Sequence, residues 1–187
     1  MKNKIILASQ SPRRKQLLEL AEIEFEVIVA DVDETNPPGM PGEEVPEFLA
    51  RKKADAVSHL VGDAIVIAAD TVVLAGHHIL GKPTDAAHAV SILKQLSGRM
   101  HKVVTGVCIR RGAKEMSFST TTEVFFRKLT EEQINHYITQ YKPFDKAGAY
   151  AIQEWIGVLG IEKINGDYYN VMGLPIGEVY IALALFY

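Results

Sequence analysis

The sequence predicts an α/β protein with a mixed, twisted β-sheet. Short apolar runs alternate with amphipathic segments along the chain, which is the pattern of strands alternating with helices. A continuous apolar run over 64–69 is typical of a central strand that is covered on both faces. Two long strand-like segments, about 101–111 and 115–127, have Gly112 and Ala113 between them, so we expect an antiparallel pair in this sheet.

Length and composition restrict the class of protein. The chain has 187 residues, of which 48% are hydrophobic and 23% charged, and we expect one domain over 1–187, or two closely packed lobes. The net charge of −3 leaves no broad basic face for nucleic acid, and no apolar run is long enough for a membrane span. The single Cys108 lies in an apolar run and fits a reducing compartment, so we expect a cytoplasmic protein with this thiol in its core.

The elements follow in order from the N-terminus. The apolar run that starts at residue 5 predicts a buried first strand, and 12–22 predicts a helix that faces inward through leucines. A second strand is expected over 25–29, followed by a loop rich in acids and proline over 30–42. The remaining predicted elements are a helix over 43–60, the central strand continued to residue 74, a hairpin turn at His77-His78, a helix over 85–97, the antiparallel pair, a helix capped by Thr130 and Gln133, strands over 146–164, a loop over 166–175 and an apolar C-terminal helix.

A cluster of polar residues follows the first strand directly. Ser11 is a good N-cap and Pro12 suits the first helical position. Residues 13–15 are Arg-Arg-Lys, which places three cations where the helix dipole is already positive. This arrangement favours an anion at the helix N-terminus, and with the hydroxyl of Ser9 it predicts a phosphate clamp. The alternative is a solvated basic turn without a ligand.

An isolated carboxylate interrupts the central apolar run at Asp70. Burying it without a partner would be costly, so we expect a metal ligand or a general base there. The acidic loop that carries Asp31, Asp33 and Glu34 could meet it at the edge of the sheet, where hard divalent ions such as Mg²⁺ prefer carboxylates plus phosphate oxygens. The alternatives are a structural acid at a strand end and a merely solvated loop.

Two lysines are candidates for phosphate contacts. Lys53 shares a helix face with Leu49, Val57 and Leu60, so it lies on the stripe that should be buried. It is either a cation that reaches a phosphate or a lysine whose ammonium extends to water from the edge of the stripe. Lys82 lies in a short Gly-Lys-Pro turn, which would hold its ammonium rigidly.

In combination and in order, these segments resemble the Maf family. The segments that carry the resemblance are Ser9 to Arg14, Asp33-Glu34, Lys53-Ala54, Ala69-Asp70-Thr71, Gly81-Lys82-Pro83, Asp145 to Gln153 and Ile164 to Pro175. The resemblance implies a two-lobed fold with a central cleft, similar to inosine triphosphate pyrophosphatases. It also implies a nucleoside triphosphate pyrophosphatase that uses a divalent metal cation and forms a homodimer.

The resemblance also implies roles for particular residues. Asp70, Lys53 and Lys82 would be catalytic, and Asp70 with Glu34 would hold Mg²⁺, Mn²⁺ or Co²⁺. The substrate would be bound by Ser9, Ser11, Arg13, Arg14, Thr71 and Gln153. Water would attack the α-phosphorus, with no covalent nucleophile, and the sequence has neither a Gly-x-Ser-x-Gly elbow nor a P-loop.

Three positions predict the choice of base. Arg13, Thr71 and Gln153 match the family branch that prefers dTTP and UTP, rather than the branch that prefers 7-methylguanosine triphosphate. The amide of Gln153 supplies both the donor and the acceptor that a pyrimidine edge needs. The alternative function, from a different class, is a nucleotide-binding regulator of septum formation or cell division with little turnover.

Overall fold

The computed structural model describes residues 4–187, and its strands within that range form one mixed, seven-stranded sheet. The strands are β1 (Ile5–Leu7), β2 (Glu26–Val27), β3 (Ile65–Ala75), β4 (His78–Leu80), β5 (Met100–Arg111), β6 (Lys114–Phe126) and β7 (Ile161–Asn165). The order is β2-β1-β3-β5-β6-β7, with β4 added to β3. β1 runs parallel to β2 and β3, whereas β5 runs antiparallel to β3 and β6, so the predicted mixed sheet and its antiparallel pair are confirmed.

The helices cover the sheet on both faces. They are α1 (Pro12–Leu20), α2 (Val45–Val61), α3 (Ala86–Leu96), α4 (Glu131–Tyr141), α5 (Trp155–Gly160), α6 (Tyr168–Met172) and α7 (Ile176–Leu183). The predicted capping box at Thr130 and Gln133 is present at the start of α4. Among the helices within residues 4–187, none has the length and apolar character that a bilayer span requires.

Some predictions of local structure are wrong. The segment 146–164 is strand only from Ile161, because it first forms a 3₁₀ turn at Ala147–Ala149 and then α5. Gly148 lies in the left-handed region with φ +71°, which ends any extended run there. The expected loop after residue 165 contains α6, whose first turn is capped by the Asp167 side chain accepting from the Tyr169 N–H.

Two side chains also differ from expectation. Ser11 does occupy the N-cap position of α1 but makes no side-chain capping bond; instead its N–H donates to the Ser9 hydroxyl at 3.2 Å. Leu60 is 65% exposed, because it lies beside the buried face of α2 rather than on it. Leu49 and Val57 are buried as predicted, and so is Cys108, whose burial raises the pKa of the thiol to about 12.

Alternation along β3 distributes its side chains between two apolar cores. Val66 and Ala68 pack with Ala54 and Val57 of α2 on one face of the sheet. The residues between them point to the opposite face, where Ile67 packs with helices α1 and α7. The same alternation places Asp70 on the α2 face and Thr71 on the other face.

β3 also passes from one lobe of the molecule into the other. The first lobe is the core around β1, α1, α2 and α7, and the second lobe is the core around β4, α3 and α4, which β3 enters at Val73. β1 pairs with residues 65–67 of β3, and β4 pairs with residues 73–75 on the same edge. Within residues 4–187, neither strand covers the edge between those stretches. We call this gap the edge window, and it holds Asp70 and Thr71.

We expect Gly106→Ala to destabilise the protein strongly. A Cβ at Gly106 of β5 would lie 2.1 Å from the Glu47 backbone nitrogen and 2.3 Å from the Pro46 carbonyl carbon, so α2 would have to move. Overpacking of this kind costs about 1–3 kcal/mol, which corresponds to a fall in Tm of several degrees. Thermal unfolding monitored by circular dichroism measures it.

Gly177→Ala is the matched control for this substitution. A Cβ at Gly177 would meet no atom of the described chain, residues 4–187, within 4 Å, and the residue lies in α7. Alanine is the better helix former, so Tm should stay constant or rise. If both variants melt at the wild-type temperature, the close approach of α2 to β5 has no energetic importance.

Candidate functional site

A cleft of about 690 Å³ lies at the edge window, between the two lobes. It is lined by every residue to which the family resemblance assigned a role: Ser9, Ser11, Arg13, Arg14, Glu34, Lys53, Asp70, Thr71, Lys82 and Gln153. These residues come from distant segments of the chain. The fold therefore brings these ten residues together in one place. Lys15, Asp31 and Asp33, which the sequence also offered, do not line the cleft.

Lys53 joins the two predicted metal ligands. Its ammonium lies 2.7 Å from Asp70 Oδ1 and 2.7 Å from Glu34 Oε1. The side chains of Lys53 and Asp70 are only 17% and 16% exposed, so this ion pair is largely shielded from solvent. The hydrogen bond from Lys53, helped by the positive charge of Lys82, lowers the pKa of Glu34 despite its partial burial. Both carboxylates thus face one cation at the edge window.

The donor set can accommodate a hard divalent ion only with help from a ligand. Among residues 4–187, no group of three or more His, Cys, Asp or Glu side chains could hold a metal ion. Glu34 and Asp70 supply carboxylate oxygens that face each other across Lys53. Mg²⁺ is commonly bound by one or two carboxylates, with substrate phosphate oxygens and water completing its coordination, so these two residues fit such an ion.

Arg14 is buried and makes four hydrogen bonds to protein acceptors. Nε donates to the Gly173 carbonyl at 2.8 Å, Nη1 to the Ser9 hydroxyl at 3.0 Å and to the Ala69 carbonyl at 2.8 Å, and Nη2 to the Thr71 hydroxyl at 3.0 Å. Burial lowers the pKa of the guanidinium. Of the five N–H donors of an arginine, most are therefore committed to the protein, and Arg14 holds three segments of the cleft wall together.

Thr71 belongs to the same buried network. Its hydroxyl lies 2.9 Å from the hydroxyl of Thr105 as well as 3.0 Å from Arg14 Nη2. Thr105 in turn donates to the carbonyl of Asn170 at 3.1 Å. The Thr71 hydroxyl is thus engaged by the protein, whereas Asp70 on the opposite face of β3 points toward Lys53.

The cleft is completed by Lys82 and Gln153 of the second lobe and by Arg13 of the first. Lys82 is exposed at the cleft, and its turn is tied to the second lobe by the Gly148 N–H, which donates to the Gly81 carbonyl at 3.2 Å. Gln153 is exposed at the cleft as well. Arg13, on α1, reaches across to Asp145, with Nη1 3.1 Å from Oδ2.

Sequence reasoning missed two side chains at this end of the cleft. Lys146 is buried, and its ammonium lies 2.7 Å from Asp145 Oδ1 and 3.4 Å from Glu154 Oε1. Both Asp145 and Lys146 line the cleft. The available signal was an acid and a lysine at the start of an otherwise small and apolar segment, 145–152.

The fold has a counterpart among solved structures. The structure of a HAM1 protein from Coxiella burnetii matches with a TM-score of 0.54 over 98% of this chain and 99% of that chain. The sequences are only 14% identical, so this likeness concerns the fold alone. It agrees with the fold that the sequence resemblance implied.

Sequence comparison defines the family. The family model described as "Maf-like protein" matches residues 4–186, and the chain belongs to the Maf family. The dTTP/UTP pyrophosphatase of Cytophaga hutchinsonii is 52% identical over 94% of this chain and 80% of its own length. That of Parabacteroides distasonis is 46% identical over 99% of this chain and 97% of its own length.

We expect Arg14→Lys to lower the free energy of unfolding by at least about 2 kcal/mol. A lysine cannot reproduce the fork geometry, and buried acceptors such as the Ala69 carbonyl would lose their donor. Urea unfolding followed by fluorescence gives the value. Arg13→Lys is the control, because its ion pair with Asp145 is partly exposed and should contribute less than about 1 kcal/mol. Equal stabilities of the two variants would contradict the structural role of Arg14.

Proposed function

We propose that this protein hydrolyses nucleoside triphosphates, dTTP and UTP in preference, to the nucleoside monophosphate and pyrophosphate. The observation that carries the proposal is the Lys53 ammonium held between Asp70 and Glu34 in a cleft that further cations surround. The names of the relatives from Cytophaga hutchinsonii and Parabacteroides distasonis support the substrate class.

Asp70 is the proposed general base. Water attacks the α-phosphorus, its proton passes to the carboxylate, and the bond from the α-phosphorus to the bridging oxygen breaks as pyrophosphate leaves. Lys53 holds Asp70 Oδ1 at 2.7 Å, and a carboxylate retains acceptor capacity on both oxygens when one is so engaged. Its position within β3 keeps the carboxylate fixed at the edge window, which favours a well-oriented attack.

The lysines are the proposed triphosphate ligands. An ammonium has three N–H donors, and Lys53 directs two of its interactions to Asp70 and Glu34, which leaves one for a phosphate oxygen. Lys82 is exposed at the cleft and lies close enough to contribute to the lowered pKa of Glu34. Together with Ser9 and Ser11 at the start of α1, these groups would hold the chain of phosphates in line. Positioning of this kind supplies most of the catalysis in phosphoryl transfer.

A divalent cation, Mg²⁺ or alternatively Mn²⁺ or Co²⁺, is part of the proposal. Glu34 and Asp70 would hold it, and its chemistry is to neutralise charge that develops on the phosphate oxygens. The homodimer and the cytoplasmic location that the family resemblance implies also belong to the proposal.

Arg13 and Gln153 are the proposed determinants of the base. Gln153 is exposed at the second-lobe end of the cleft and can both donate to and accept from a pyrimidine edge. Arg13 repels the positive ring of 7-methylguanine. Thr71 contributes by packing, because its hydroxyl already contacts Arg14 and Thr105.

The regulatory alternative, a nucleotide-binding protein of septum formation with little turnover, is not favoured. Paired carboxylates next to a phosphate site weaken simple binding by charge repulsion, so they fit a catalytic site better than a holding site. The pyrophosphatase names of the relatives point the same way. Incubating the protein with Mg²⁺ and a panel of triphosphates, and measuring pyrophosphate, separates the two functions. Release from no nucleotide would favour the regulator.

Asp70→Asn should reduce turnover by about 10²–10⁴-fold while the triphosphate still binds, because the base is lost and the shape is kept. Steady-state kinetics at saturating metal, with binding measured by calorimetry, tests this. Asp33→Asn is the control, since Asp33 lies in the same acidic loop but is exposed and, within residues 4–187, pairs only with Thr35 and Lys52. A rate for Asp70→Asn above about a tenth of wild type would make Asp70 a structural residue.

Base preference gives a separate prediction. The kcat/KM values for dTTP and UTP should exceed the value for 7-methylguanosine triphosphate at least about tenfold. A polar group of the cleft that the wrong base covers without pairing costs roughly 1–3 kcal/mol. The three nucleotides are compared under one metal concentration. Equal values, or a preference for the methylated purine, would place the protein outside the pyrimidine branch.

A further inference from the structure

The second-lobe end of the cleft contains a carboxylate to which the proposed function gives no role. Asp145 lies between two cations, with Oδ2 3.1 Å from Arg13 Nη1 and Oδ1 2.7 Å from Lys146 Nζ. Its side chain is nevertheless 57% exposed and lines the cleft. The two cations fix the carboxylate in place without covering it, so it can still contact a ligand.

The environment of Asp145 keeps it ionised. Partial burial on its own raises the pKa, but the hydrogen bonds from Lys146 and Arg13 outweigh it, and the pKa lies below its ordinary value. An ionised carboxylate is an acceptor only. Each oxygen accepts one hydrogen bond from the protein and retains a second lone pair for a ligand.

Asp145 and Arg13 together present an acceptor next to a donor. The Watson–Crick edge of uracil or thymine carries N3–H, a donor, between two carbonyl oxygens, which are acceptors. Cytosine carries an unprotonated N3, an acceptor, at the same position. A carboxylate that faces N3 therefore attracts uracil and repels cytosine, which is selection by an unfavourable contact as well as a favourable one.

Cytosine could satisfy the pair only by sliding along its edge. Its amino group would then face Asp145, and N3 would face Arg13. That slide moves the sugar and the attached phosphates relative to Asp70, which is fixed in β3. Displacements of about 1 Å already impair catalysis strongly, so the shifted base would be cleaved poorly.

We propose that Asp145 is a specificity-determining residue that accepts a hydrogen bond from N3–H of uracil or thymine, while Arg13 donates to one flanking carbonyl oxygen and the amide of Gln153 donates to the other. The inference rests on the proposed function and extends it to a rule for distinguishing pyrimidines. Lys146 serves as a positioning residue, because it is buried and holds Asp145 from the side of the second lobe.

The test compares three substrates in three proteins. UTP, CTP and N3-methyl-UTP, which lacks the N3 proton, are assayed for kcat/KM with wild type, Asp145→Ala and Asp145→Asn. In wild type, CTP and N3-methyl-UTP should each be at least about tenfold worse than UTP. In Asp145→Ala both ratios should fall to within about threefold of unity. Asp145→Asn should gain CTP activity relative to UTP, because an amide can turn its donor toward N3.

Asp63→Asn is the matched control. Asp63 also pairs with an arginine, Arg111, at 2.7 Å, but it does not line the cleft, so the three ratios should equal those of wild type. If an Asp145 variant is too slow to assay, the same ratios are obtained from calorimetric binding of the α,β-methylene analogues of UTP and CTP.

The outcomes separate this inference from the proposed function. Absence of pyrophosphate release by wild type from any triphosphate would refute the proposed function itself. If wild type is active on UTP and Asp145→Ala lowers all three substrates by one common factor, Asp145 only shapes the cleft and the inference is overturned. Collapse of the ratios in the two Asp145 variants, with the Asp63→Asn ratios unchanged, supports it.

Discussion

The buried guanidinium of Arg14 connects the parts of the chain that form the cleft. It donates to Ser9 before α1, to Ala69 and Thr71 at the edge window, and to Gly173 after α6. Without it, several buried acceptors would lack a donor, which is costly in a low-dielectric interior. A guanidinium offers five N–H donors on three nitrogens in a fixed planar geometry, whereas an ammonium offers three donors on a single nitrogen.

The alternation of side chains along β3 explains how neighbouring residues of one strand enter two different networks. Asp70 points toward α2, where Lys53 meets it, and Thr71 points the other way, into the network around Arg14. Adjacent residues of the chain thus belong to two different networks, Asp70 to the ion pair with Lys53 and Thr71 to the hydrogen bonds around Arg14. The gap between β1 and β4 leaves the same stretch of backbone accessible from the cleft.

Much of the fold and of the site could be predicted from the sequence. The short separation of two strand-like segments predicted the antiparallel pair, and the capping box predicted the start of α4. Polar residues within apolar patterns indicated Asp70 and Lys53, which do line the cleft. What could not be predicted depends on contacts between distant residues. The hydrogen bonds that hold the Arg14 guanidinium, for example, go to acceptors more than fifty residues away, such as the Ala69 carbonyl. The helix α5 replaces predicted strands at a place of close packing, because a Cβ at Gly157, within the helix, would lie 1.8 Å from the Ile152 carbonyl oxygen.

The close approach of α2 to β5 has a consequence for precision. Gly106 allows the backbone of α2 to contact the sheet directly at Pro46 and Glu47, and this contact restricts movement of the helix relative to β5. Lys53 follows two turns later on the same rigid rod, about 10 Å along its axis. Because Gly106 has no side chain, α2 lies close to the sheet, and this spacing determines where the Lys53 ammonium lies relative to Asp70. The geometry of the ion pair between Lys53 and Asp70 thus depends on a contact between two uncharged stretches of main chain.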